Sequence, residues 1–219
     1  MRTRIKICCI ASLDEAAMAI RYGADALGLV GKMPSGPGPI ADELIATIAA
    51  SIPPPLASFL LTSEQSAAGI IDHVLRVHTN TVQIVDELTV GNYHEIRAAL
   101  PPLRIVQVIH VTGEESIAEA IRLQPHVDAF LLDSGDPRAA IKTLGGTGNV
   151  HNWDISSELV RAVSKPVFLA GGLNAGNVTE AIRKVKPFAV DICSGVRTEG
   201  KLDEFKLKEF FRAVKTVYY

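Results

Sequence analysis

The sequence predicts an α/β fold, a closed (β/α)8 TIM barrel in one domain spanning residues 1–219. Three observations carry that expectation. Short runs rich in Val, Ile, Leu and Phe alternate with helical-period segments from one end of the chain to the other, which is the pattern of βα units on a parallel sheet. The units number eight, and no shift in composition marks a domain boundary. Barrels of this kind usually run to about 250 residues, so eight units in this length favour a closed barrel over the alternative, an open doubly wound sheet.

The elements follow in order. Ile5–Ile10 reads as the first strand, and Ser12 ahead of Leu13-Asp14-Glu15 places a capping oxygen and then acids at the positive end of a helix over Asp14–Tyr22. Ala26–Val30 is the second strand and Asp42–Ser51 the second helix. Pro53-Pro54-Pro55 ends that helix just before a third strand, Leu56–Leu61, where it spoils no ladder. Gln65–His78, the strand Thr81–Val85 and the helix Val90–Leu100 come next, and Pro101-Pro102 again precedes a strand, Arg104–Ile109. Thr112 before Gly113-Glu114-Glu115 predicts a capped helix over Glu114–Leu123. The strands Ala129–Asp133, Val167–Ala170 and Val190–Cys193 alternate with helices over Ser156–Val163, Ala175–Val185 and Glu204–Val217.

Composition excludes several function classes. The formal net charge is −2 with acids and bases mixed along the chain, so no basic stripe advertises a nucleic-acid partner. No apolar run approaches the roughly 18 residues a membrane span requires, and Met1-Arg2-Thr3-Arg4 leads straight into a strand rather than a signal core. A cytoplasmic protein without a membrane partner is expected. Cys8, Cys9 and Cys193 are odd in number and fall in apolar runs, which argues for reduced thiols and against both a disulfide framework and a zinc site.

In a barrel the chemistry sits at the C-terminal ends of the strands. By the two-residue period Lys6, Cys8 and Ile10 share one face of the first strand while Ile7 and Cys9 share the other. With the Lys6 face inward, Cys8 lies nearer the mouth above an ammonium, and a thiolate there acts as base or nucleophile. The alternative is a small buried hydrophobe, with Lys6 paired to an inward acid. Asp133 ends the run Phe130-Leu131-Leu132 and places a carboxyl at the mouth, where desolvation raises its pKa and suits it to donate a proton. It reads equally well as a cap for Ser134-Gly135-Asp136. Gly145-Gly146-Thr147-Gly148, then Gly171-Gly172 with Asn174, then Ser194-Gly195 supply glycines whose N–H groups converge on an anion, a phosphate in the last loops of such barrels, or simply form turns.

Taken together these residues resemble the phosphoribosylanthranilate isomerase family. The match runs nearly end to end through Lys6-Ile7-Cys8, Gly23-Ala24-Asp25-Ala26-Leu27-Gly28-Leu29-Val30, Val82-Gln83, Leu131-Leu132-Asp133, Gly145-Gly146-Thr147-Gly148 with Trp153, Leu169-Ala170-Gly171-Gly172-Leu173-Asn174, and Asp191 through Gly195-Val196 to Gly200. The resemblance implies Cys8 as general base and Asp133 as general acid in an Amadori rearrangement of tryptophan biosynthesis. It also implies a phosphate site at Gly146, Gly171, Gly172, Asn174, Ser194 and Gly195, and no metal or organic cofactor, since the substrate's own iminium nitrogen is the electron sink. The chain departs from the family pattern at three places. Cys9 and Ala11 stand where glycine and threonine are usual, Ser35-Gly36-Pro37 stands where Ser-Pro-Arg holds the substrate carboxylate, and Val85 replaces a mouth histidine. Lys32, His110 and His151 are the candidate replacement donors for the substrate carboxylate, each otherwise an ordinary solvated loop residue, and Gln83 is a further candidate substrate contact. Two other readings are a related phosphosugar isomerase with an altered substrate and a phosphate-metabolite-binding barrel without turnover. The sequence leaves the oligomeric state open.

Overall fold

A computed structural model describes residues 2–135 and 152–218. Eight parallel strands close on themselves in sequence order: β1 (Arg4–Ile7), β2 (Ala26–Val30), β3 (Ala57–Thr62), β4 (Thr81–Ile84), β5 (Arg104–His110), β6 (Ala129–Asp133), β7 (Val167–Leu169) and β8 (Ala189–Ile192). The barrel closes through β1 and β8, where Lys6 pairs with Asp191 and Ile7 with Ile192. Around it lie α1 (Leu13–Tyr22), α2 (Asp42–Ser51), α3 (Ala67–Val77), α4 (Tyr93–Ala99), α5 (Glu115–Leu123), α6 (Trp153–Ala162), α7 (Val178–Val185) and α8 (Glu204–Lys215). The expected elements are all present, with ends moved by a few residues.

Strand alternation divides the core in two. Ile7, Leu27, Leu29, Leu60, Ile105 and Ile109 point outward against the helices, while Val30, Phe59, Val106, Leu131 and Phe168 fill the barrel. Such a filled interior puts the open space at the strand ends rather than along the axis. Ser12 caps α1 as expected, its hydroxyl accepting from the Glu15 amide at 3.1 Å. Thr112 does not cap α5: the cap position is Glu114, without a side-chain bond, and the Thr112 hydroxyl instead donates to the Glu115 carboxylate at 2.9 Å. Beyond β8 the chain makes a 3-10 turn (Ser194–Val196) and a small antiparallel hairpin, β9 (Arg197–Thr198) with β10 (Lys201–Leu202), which the sequence reading did not foresee. The bend of that hairpin uses left-handed backbone at Glu199 and Gly200, φ 51° and 77°.

Candidate active site

β1 ends at Ile7, and two residues later the chain takes a left-handed conformation at Cys9, φ 61°. This overturns the expected alternation. Instead of facing the helices, Cys9 turns to the same side as Cys8, and both pack with the barrel interior while Ile10 packs outside. The turn is held by Arg197, which donates to the Cys9 carbonyl and to the Glu15 carboxylate. Burial pushes the Glu15 carboxyl up, but bonds from Arg197 and from the Leu202 and Ala11 amides outweigh it and hold the group below the usual carboxylate range.

Beneath Cys8, the fully buried Lys6 ammonium meets the Asp191 carboxylate at 2.9 Å. Burial disfavours the Lys6 charge, yet the neighbouring carboxylate and thiols more than compensate and keep it above its ordinary range. Burial raises Asp191, against the opposing pull of Lys6. Gly28 on the adjoining strand makes room for this assembly. A Cβ there would stand 2.8 Å from the Cys8 sulfur and 3.1 Å from the Lys6 nitrogen.

Across the mouth, Asp133 ends β6 with one carboxylate oxygen accepting from the Ser134 amide at 2.7 Å. Its partly buried carboxyl is pushed up to about 6 by desolvation and by the Asp191 charge, against the pull of the Ser134 amide and Lys6. A carboxylic acid tuned this way is half-protonated near pH 6 and still keeps a protonated fraction at neutral pH, where an ordinary carboxyl keeps almost none, which suits it to general-acid catalysis.

Cys8 and Asp133 line one cavity together with Gln83, Asp191, Gly171, Gly172 and Ser194. The empty space among these residues, counted out through its open side into solvent, is about 720 Å³. Gly171 and Gly172 take left-handed backbone, φ 80° and 63°, which residues with a Cβ adopt only under strain. Gly195 lies just outside the lining, pressed so closely on the β7 loop that a Cβ would meet the Leu173 carbonyl oxygen at 2.1 Å. Asn174 is also outside the lining. Its side-chain oxygen accepts from the Gly176 amide at 2.8 Å and its amide reaches the Gly172 carbonyl at 3.4 Å, so it shapes the loop.

The opposite end of the cavity is formed by Met33, Ser35, Gly36, Pro37, Leu61 and Val85. Among the described residues lining the cavity none is arginine, lysine or histidine. Lys32 is exposed and outside the lining, contributing only its carbonyl to a bond from Ser63. His110 turns sideways, its Nε2 3.0 Å from the Val85 carbonyl oxygen, and lines a separate hollow with Asp86, Glu87, Glu115 and Glu119. Neither meets the expectation of a contact in this cavity. Gly146 and His151 lie outside the described residues.

Three participants escaped the sequence reading: Asp191 as the partner of Lys6, Cys9 as an inward thiol, and Arg197 as the clamp on the turn. Only the first left a signal, since an inward acid opposite Lys6 was the alternative offered for that lysine.

Comparisons with known proteins converge with this geometry. The family model for N-(5'phosphoribosyl)anthranilate (PRA) isomerase matches residues 5–213. An N-(5'-phosphoribosyl)anthranilate isomerase of Methanosarcina acetivorans is 35% identical over 100% of this chain and 95% of its own length, and one from Methanosarcina mazei is 37% identical over 99% and 96%. The crystal structure of phosphoribosyl anthranilate isomerase from Thermotoga maritima superposes with a TM-score of 0.81 at 29% identity, covering 98% of this chain and 99% of that one. A phosphoribosyl anthranilate isomerase in complex with reduced 1-(o-carboxyphenylamino)-1-deoxyribulose 5-phosphate superposes at 0.79 with 27% identity and the same coverage. With the match running through every strand of the barrel, the chain belongs to the PRA isomerase family.

Proposed function

We propose that the protein catalyses the Amadori rearrangement of N-(5-phosphoribosyl)anthranilate to 1-(2-carboxyphenylamino)-1-deoxyribulose 5-phosphate, with Cys8 as general base and Asp133 as general acid. The observation that carries the assignment is that these two side chains, one just past the end of β1 and one at the end of β6, face one cavity closed at one end by the glycine loops after β7 and β8. Asp133 gives its proton to the furanose ring oxygen. The bond from C1 to that oxygen breaks, and the nitrogen lone pair forms an iminium with C1. The Cys8 thiolate then removes the C2 proton, and the electron pair moves into the iminium to give an enolamine, which tautomerises to the ketose. A charge-balanced floor supports the step, because Asp191 neutralises Lys6 below Cys8.

The substrate phosphate binds at the N–H groups of Gly171, Gly172, Ser194 and Gly195, as the left-handed glycines and the close contact of the two loops support. Gln83 faces the sugar from β4: it is buried in the cavity wall, and its side-chain oxygen has no hydrogen-bond partner among the described residues. Purified protein added to enzymatically generated phosphoribosylanthranilate should abolish the substrate's fluorescence in a time-dependent, enzyme-proportional way. No loss above the spontaneous rate would overturn the assignment.

A further inference from the structure

Two thiols at the mouth have no part in the acid–base step. Cys9 and Cys193 line the same cavity as Cys8. The turn after β1 runs beside the end of β8, where the Cys8 amide donates to the Ile192 carbonyl at 2.8 Å, so Cys9 and Cys193 stand on adjoining chain segments, each one residue beyond that bond. Cys9 owes this placement to its left-handed backbone at φ 61°, a conformation glycine takes freely and a residue with a Cβ does not. The second loop is seated on it: the Cys9 thiol donates to the Pro37 carbonyl at 3.7 Å, and a Cβ at Gly38 would stand 2.7 Å from the Cys9 Cβ.

We propose that Cys9 and Cys193 are an oxidation site, a thiol pair that a peroxide converts to a disulfide bridging the turn after β1 and the loop after β8. The vicinal pair Cys8 and Cys9 is the poorer candidate, because Cα atoms across one trans peptide are about 3.8 Å apart, short of the usual disulfide range of about 4.4–6.8 Å. Cys193 is the attacking group. It is the most exposed of the three cysteines, and the neighbouring Cys9 thiol and the Arg197 charge hold its thiol below the ordinary range despite burial. Its thiolate attacks one peroxide oxygen, the O–O bond breaks, and protonation of the departing oxygen leaves a sulfenic acid on Cys193 and one molecule of water or alcohol. The Cys9 sulfur then displaces the sulfenic hydroxyl, which leaves as water with the Cys9 proton. Two thiols and one peroxide give one disulfide, one water and one water or alcohol.

The consequence for turnover rests on the isomerase reading above. In the disulfide Cys9 no longer donates to Pro37, and its sulfur is drawn toward the proposed phosphate end, so both framing loops are disturbed while Cys8 stays a thiol.

The test reads the bond itself. Reduced, folded protein is treated with one equivalent of hydrogen peroxide, remaining thiols are alkylated, and tryptic peptides are weighed. Expected are a linked species joining Ile7–Arg21 to the peptide containing Cys193, with Cys8 alkylated, and at least a tenfold fall in isomerase turnover that dithiothreitol reverses. The link should persist in Cys8→Ala and vanish in both Cys9→Gly and Cys193→Ser, whose folding is checked by circular dichroism. If one of these two does not fold, the other decides. A linkage through Cys8, or alkylation of both Cys9 and Cys193 after peroxide treatment, would overturn the proposal. Because the link is weighed directly, its absence is distinguishable from a failure of the isomerase assignment.

Discussion

The two ends of the mouth cavity are built from different material. At the β7 and β8 end the backbone does the shaping: Gly171 and Gly172 take conformations that glycine adopts freely, and Gly195 abuts a carbonyl oxygen at a distance no Cβ tolerates. At the β2 end side chains do it, through Met33, Pro37, Leu61 and Val85, with the loop resting on Cys9. A wall made of backbone N–H groups recognises an anion of fixed shape, whereas an apolar wall recognises a flat ring without fixing a charge on it. The difference makes the phosphate the anchor of the proposed substrate and the aromatic half the adjustable part.

The largest effects should come from the chemistry between those ends. Cys8→Ala and Asp133→Asn should each lower turnover by roughly 10²-fold or more, with folding intact, because each removes one partner of a two-proton process. Wild-type turnover in either variant takes that residue out of the mechanism. Gly195→Ala probes the backbone-built end. Its Cβ meets the Leu173 carbonyl at 2.1 Å, so the two loops must part. Calorimetry should register a loss of roughly 2–3 kcal/mol, typical of overpacking, and inorganic phosphate should cease to compete with substrate. Retained phosphate competition would place the anion elsewhere.

Asp133 gives a further prediction through its pH dependence. Its folded-state carboxyl stands at about 6 against an ordinary 3.8, so between those values the folded state holds a proton that the unfolded chain has released. The associated stability is therefore complete below about pH 4 and is lost as pH rises through about 6. Relative to Asp133→Asn, the wild type should lose about 1–2 kcal/mol of unfolding free energy across that window, a figure discounted for the partial exposure of the group. A flat difference between the two proteins would show that the carboxyl is not desolvated.

Much of this architecture was legible in the sequence, and the exceptions have common causes. Strands and helices were readable because the inside of the barrel and the helix-facing layer impose periods that Ile, Val and Leu must obey, as at Leu27, Leu29 and Val30. Cys8 and Asp133 were readable because a strand end fixes where a side chain stands. Cys9 was misread because a two-residue period says nothing once the backbone leaves the strand, and its left-handed turn depends on Arg197, nearly two hundred positions away in the chain. Lys32 and His110 failed for a related reason: proximity to a mouth does not determine which way a side chain leaves it. Lys32 ends up in solvent and His110 against β4. Asn174 sits in the expected loop, and its side chain bonds its own turn, a task that residue type alone does not reveal.

The smallest expected effect tests the side-chain-built end. Pro37 lines the cavity, and the left-handed Gly36 and Gly38, φ 98° and 89°, hold it there. A guanidinium introduced by Pro37→Arg therefore starts from the cavity wall, where no described lining residue carries a positive charge. One charge-assisted bond to a carboxylate typically contributes about 1.5–3 kcal/mol, and the strain of replacing proline in a tight loop offsets part of it. The expected result is about a tenfold gain in kcat/KM for phosphoribosylanthranilate over the decarboxylated aniline analogue. Lys32→Ala should leave that ratio unchanged, since the exposed lysine lies outside the cavity lining. If the wild type already discriminates strongly and Pro37→Arg adds nothing, the carboxylate is held by a group outside the lining described above, and the aromatic end is less permissive than its apolar wall implies.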